Sequence, residues 1–77
     1  MERNNQVIRV LKILYLLLGS RAGSTIKGLA RDFKVHPKTI RRDLQAIYKS
    51  DFTLISFKER GNKYYTTKEG LTKQSLL

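Results

Sequence analysis

Apolar residues at Val7, Val10, Leu11, Leu14, Leu17 and Leu18 recur at the i, i+3, i+4, i+7 spacing of an amphipathic helix, and Gly19 ends the series. The pattern predicts a first helix from Val7 to Leu18. At about 100° per residue, that stripe leaves Ile13 and Leu16 near the opposite side, beside Arg9 and Lys12. Both are therefore expected on the surface, as ordinary scattered apolar residues or as a contact with a second copy or a C-terminal partner domain. A second helix of about two turns is predicted with Thr25 as N-cap and Ile26, Leu29, Ala30 and Phe33 inward. After a turn at Lys34 and Val35, Pro37 opens a third helix over 37–50, because the first helical position makes no use of the N–H that proline lacks. Ile40, Leu44 and Ile47 mark its packed face and Lys38, Arg42, Gln45 and Lys49 the far side, with Thr39 and Arg41 on the flanks.

From Phe52 the period changes. Thr53 to Phe57 and Tyr64 to Thr67 are β-branched and aromatic runs, joined by Lys58-Glu59-Arg60-Gly61-Asn62-Lys63, whose Gly-Asn pair suits the positive φ angles of a tight hairpin. A lone hairpin is marginal in water, so Ile55 and Phe57, with one of Tyr64 or Tyr65, are expected to pack on the first or third helix. The segment from Lys68 to Leu77 has no clear pattern, although Leu71, Leu76 and Leu77 can begin another helix. Residues 1–67 therefore read as one α+β domain, three helices followed by a two-stranded hairpin, and 68–77 as a frayed tail or linker stump toward a C-terminal domain.

With 77 residues there is room for one small domain. The basic start and apolar middle of the N-terminus superficially resemble a secretory signal. Arg9 and Lys12 break the apolar stretch, however, leaving six uninterrupted residues from Ile13 to Leu18, short of the roughly 7 to 15 of a signal core and the roughly 20 of a membrane span. A cytoplasmic, nucleoid-associated location is the expectation. The absence of cysteine and the single histidine, His36, leave no metal or acid–base constellation, and no glycine-rich phosphate loop is present, so neither enzyme activity nor a cofactor is expected. Sixteen Lys and Arg against six Asp and Glu give a net charge of +10, which implies a polyanionic partner. From Arg31 to Lys49 six basic residues stand against Asp32 and Asp43, and from Lys58 to Lys63 three stand against Glu59.

The order of helix, short helix, tight turn, helix and basic hairpin resembles a winged helix-turn-helix. Within it, Thr25 to Ile47, TIKGLARDFKVHPKTIRRDLQAI, is similar to the N-terminal DNA-binding domain of DeoR-type bacterial regulators, a domain that also heads many WYL-domain regulators. The resemblance rests on the Leu29-Ala30 pair, Phe33, Val35 and TIRRDL from Thr39 to Leu44, and extends over roughly Val7 to Thr67. It implies double-stranded DNA as the partner, operator occupancy as the mode of action, binding as a homodimer, and a following effector domain, so that this chain is expected to be either a fragment of a longer regulator or a small stand-alone protein. Two positions depart from the pattern. Lys34 stands where the family has a left-handed glycine, which costs about 1 kcal/mol. His36 stands where the family has a serine cap, and histidine is not a favoured cap, so His36 is either a solvated turn residue or a phosphate or base contact at the helix entry.

Residue chemistry points the same way without the resemblance. A helix in the major groove presents its N-terminal side chains to base edges, where Arg suits guanine and Gln suits adenine. Lys38, Thr39, Arg42 and Gln45 are the candidate base readers, with Arg42 and Lys38 foremost. Thr25, His36, Arg41 and Lys49 are candidate phosphate contacts, and Lys58, Arg60 and Lys63 form a basic wing for the backbone or minor groove. Asp43 would repel phosphate on the reading face. Its place at the edge of the packed face predicts a structural bond to Thr39, Arg9 or Arg31. Two rivals remain: an RNA-binding module stacking bases on Tyr64 and Tyr65 beside Lys63, and a protein-docking winged helix.

Overall fold

The computed structural model describes residues 5–71. The chain runs α1 (Asn5–Leu18), α2 (Ile26–Phe33), α3 (Pro37–Tyr48), β1 (Leu54–Glu59), β2 (Asn62–Thr67) and α4 (Lys68–Leu71), with β1 and β2 paired as an antiparallel hairpin. This is a winged helix-turn-helix. No helix among the described residues is long and apolar enough to cross a membrane.

Local chemistry explains the turn between α2 and α3. Thr25 is extended and its hydroxyl accepts the Gly28 N–H at 2.9 Å, satisfying a donor that the first turn of a helix leaves unpaired. At the other end Lys34 is left-handed, with φ 57° and ψ 47°. The Val35 N–H reaches back to the Ala30 carbonyl (3.0 Å) and the Lys34 N–H to that of Arg31 (3.3 Å), a Schellman closure normally completed by glycine. The glycine-type backbone is thus kept with a lysine in it. His36 is itself the N-cap of α3, although histidine is not a favoured cap: its Nδ1 accepts the Lys38 N–H at 3.0 Å. α3 ends at Tyr48 and not at residue 50, since the Ser50 hydroxyl donates to the Ile47 carbonyl (2.6 Å) and accepts the Phe52 N–H (3.2 Å).

The core consists of Ile13 and Leu17 from α1, Leu29 and Ala30 from α2, and Ile40, Leu44 and Ile47 from α3, with Val10, Leu14, Ile26, Phe33, Val35, Leu54 and Tyr65 packed around it. Complete burial of one such Ile or Leu contributes roughly 2 kcal/mol. The expected faces of α2 and α3 are the observed ones; that of α1 is rotated. Ile13 is fully buried, so it is no contact for a second copy, whereas Val7 and Leu11 from the predicted inward stripe are exposed and Leu16 is exposed as expected. The cause is Arg9. Its guanidinium turns inward to the buried Asp43 carboxylate of α3, through Nε to Oδ2 and through Nη2 to Oδ1 at 3.2 Å, and Gln6 adds a longer bond of 3.4 Å. Four and eight residues on from Arg9, Ile13 and Leu17 follow it into the core. α1 also starts earlier than Val7, at Asn5.

The hairpin differs from expectation in two ways. Its strands are longer and its turn shorter: Glu59 pairs with Asn62, so Arg60 and Gly61, both at positive φ (54° and 82°), make the turn in place of Gly61 and Asn62. Two positive φ angles match the twist of the flanking strands. The face turned to the core carries Leu54 and Tyr65, not Ile55 and Phe57; Phe57 instead stacks on Tyr64 with ring centres 5.6 Å apart. At the base of the hairpin the Thr66 hydroxyl donates to the Ser20 carbonyl (2.7 Å) and the Thr67 hydroxyl to that of Leu17 (3.3 Å), satisfying acceptors at the end of α1. The Thr67 hydroxyl also accepts the Gly70 N–H at 2.9 Å. The start of the segment read as a tail is therefore a packed helical turn, in which a Cβ on Gly70 would lie 2.1 Å from the Leu17 carbonyl oxygen. Leu76 and Leu77 lie outside the described residues.

Removal of either partner strands a buried charge. Arg9→Met and Asp43→Ala should each destabilise the domain by about 3 kcal/mol, lowering Tm by more than about 10 °C in a calorimetric scan. The double replacement Arg9→Met with Asp43→Leu should recover most of the loss. Gly70→Ala should also lower Tm, while Lys34→Gly should raise stability by about 1 kcal/mol.

Candidate nucleic-acid interface

α3 determines what the domain presents. Burial of Ile40, Asp43, Leu44 and Ile47 along one side turns Lys38, Arg42, Gln45 and Lys49 outward, and all four are exposed. Asp43 is removed from this surface by burial against Arg9, so the outer row carries three cations, a glutamine and no anion. The carboxylate hydrogen bond, supported by its negative charge, holds the Arg9 guanidinium above its usual pKa despite partial desolvation. A raised cation stabilises the fold below its unfolded pKa and ceases to do so only as pH rises past the folded one, so Arg9 is charged wherever the domain is used. Thr39 is half-buried on one flank, which leaves it a smaller reading surface than its neighbours.

The other flank faces the wing. Ser24 pairs with Tyr65 through two backbone bonds, Ser24 N–H to Tyr65 carbonyl (2.9 Å) and the reverse (2.7 Å), which ties the entry of α2 to the hairpin. Between them and α3 lies an open groove of about 580 Å³ whose cationic lining is Lys27, Arg41 and Lys63, with Thr25 and Asn62 at its edges. Arg41 and Gln45 also line an adjoining hollow of about 350 Å³ with Tyr48 and Tyr65. Lys63 lies 5.4 Å from the centre of the Tyr65 ring, which orients its ammonium over the sheet. Lys58 sits directly opposite Lys63 in the hairpin register, an arrangement of like charges that is unfavourable without an anion. Arg60 is exposed at the tip.

The structure thus places Lys38, Arg41, Arg42 and Gln45 on α3 and Lys49 at its C-cap, brings Lys63 of the wing to the groove that Arg41 lines, and leaves Lys58 and Arg60 exposed on the same hairpin. Thr25 and His36 sit at the two helix entries, but one acceptor of each is occupied by capping. Lys27 was missed by the sequence reading. A lysine in the first turn of α2 stands at the end where the helix dipole disfavours cations, which was the available clue that an anion is expected there. Among the described residues no group of three or more His, Asp or Glu side chains could hold a metal ion. Tyr64 is committed to Phe57 and Tyr65 to the core, so neither ring has both faces open for base stacking.

Residues 9–65 match a family model described as HTH domain. Comparison with curated proteins and with solved structures finds no match.

His36→Ser should leave thermal stability unchanged, because serine also caps, while His36→Ala should lower it by about 1 kcal/mol. Both should keep most of the affinity for duplex DNA in an anisotropy titration if capping is the main role of His36.

Proposed function

Because the chain belongs to the HTH domain family, we propose that it is the sequence-specific DNA-binding domain of a bacterial transcriptional regulator of the DeoR or WYL type, acting by operator occupancy. The observation that carries this reading is the outer row of α3, continuous through Arg41 with the cationic groove. Arg42 and Lys38 are the principal base readers, Gln45 the third, and Thr39 contributes from the flank. With the α3 row in the major groove, Arg41, Lys27 and Lys63 take phosphates beside it, and Lys49 takes one at the far end of the helix. Lys58 and Arg60 extend the contact along the backbone or into the minor groove. Thr25 and His36 stand at the two helix entries and add phosphate contacts there beside their capping bonds. The TIRRDL segment supports the DeoR-type assignment, and the +10 charge supports a large share of counterion release in the affinity.

Selection of bound duplexes from a random pool, followed by titration of the selected site, tests the reading. With about six phosphates neutralised, log K should fall against log salt with a slope of roughly −5. Arg42→Ala should cost about 1–3 kcal/mol and relax preference at one position. Lys27→Ala or Lys63→Ala should weaken all sequences alike and make the slope less steep by about 1. A slope near zero, or equal affinity for single-stranded RNA, would overturn it.

A further inference from the structure

One large aromatic side chain of α3 is left in solvent. Tyr48 is 69% exposed, whereas Ile40, Leu44 and Ile47 of the same helix are buried. At about 100° per residue, Tyr48 stands about 20° round the helix from Arg41 and about 60° from Gln45, on the flank that faces the wing. All three border one hollow of about 350 Å³, whose other walls include Leu44, Leu54 and Tyr65. The walls of this hollow are mainly aliphatic and aromatic carbon, and no acid lines it. Arg41 also lines the neighbouring cationic groove, so the hollow continues the surface that α3 and the wing present together.

We infer that this hollow receives the C5-methyl group of a thymine, and that Tyr48 is a further specificity-determining residue of the domain. With α3 read as the helix that enters the major groove, the reading on which this inference rests, the edges of the base pairs offer one apolar group, the thymine methyl, among hydrogen-bond donors and acceptors. A phosphate is a poor occupant, because it would exchange water for carbon without a partner on the hollow's apolar walls. Arg41 at the border offers a phosphate a charged partner outside them. Gln45 supplies the register. Its amide is suited to N6 and N7 of adenine, and the thymine of that same pair carries its methyl on the same groove edge. A single base pair therefore meets two side chains one turn apart on α3, its purine at the Gln45 amide and its methyl at the Tyr48 ring. Cytosine in place of that thymine would bring no methyl and would turn its N4 amino group toward the hollow, where it loses water and gains no acceptor from the ring.

Replacing each thymine of the selected duplex singly by deoxyuridine removes the methyl and keeps every hydrogen bond, and anisotropy titration of these duplexes at one salt concentration isolates the contact. One replacement should weaken binding of the whole 77-residue chain by about fourfold, the effect of leaving one methyl-sized group unburied. Tyr48→Ala should bind the thymine and deoxyuridine duplexes alike. Tyr48→Phe should keep the preference, since the ring and not the hydroxyl makes the contact. Circular dichroism and Tm of both variants should match those of the parent, because Tyr48 lies outside the core. If the chain binds duplex but every thymine is replaceable without loss, or the loss persists in Tyr48→Ala, the inference is overturned and the DNA reading stands. If the chain shows no preference for duplex DNA, that reading falls and the inference falls with it.

Discussion

The contact between Arg9 and Asp43 fixes more of this domain than any single apolar pair. It joins α1 to α3 and sets the rotation of both. On α3 it draws in the one acid of the helix, so that no carboxylate stands on the outer row. On α1 it forces a charged residue into the packed side, and the helix period then decides that Ile13 and Leu17 are core and Leu11 and Tyr15 are surface. A buried ion pair is a weak source of net stability, because desolvation offsets much of the attraction. Its role here is to select one rotation of a helix whose apolar residues alone permit several. Among the described residues no buried side-chain nitrogen or oxygen lacks a partner, so the price of burying Asp43 is met by Arg9 and Gln6.

Lys27 at the start of α2, Arg41 on the flank of α3 and Lys63 on the wing line one groove, and Lys58 stands across the hairpin from Lys63. Two of those placements are locally unfavourable: Lys27 lies at the positive end of a helix, and Lys58 and Lys63 face each other across the hairpin. A domain of this size has little stability to spare, so such placements are informative. Each becomes favourable when a polyanion occupies the groove, which links binding to the stability of the wing and of the α2 entry.

What could be read in the sequence followed how tightly local chemistry constrains each segment. α2 and α3 were legible because the Thr25 cap, a proline start and a single apolar side agree, and TIRRDL lies within α3. The inward turn of Asp43 was legible from its wheel position, with Arg9 among three named partners. α1 was misread because nine of its fourteen residues are aliphatic and lie all round the helix, so the period admits more than one stripe and only a contact thirty-four residues away chooses between them. The hairpin was found, but its faces were not. Leu54 and Tyr65 on one side and Ile55, Phe57 and Tyr64 on the other are comparably apolar, and alternation alone cannot rank them. Gly70 gave no local sign of its role, which is the close approach to the end of α1 that only the folded chain creates.

The two exposed faces are separated by the core. α1 meets α3 through Arg9, Ile13 and Leu17, so its outer side lies across the packed layer from the outer row of α3. Occupation of the outer row of α3 therefore leaves the outer side of α1 uncovered.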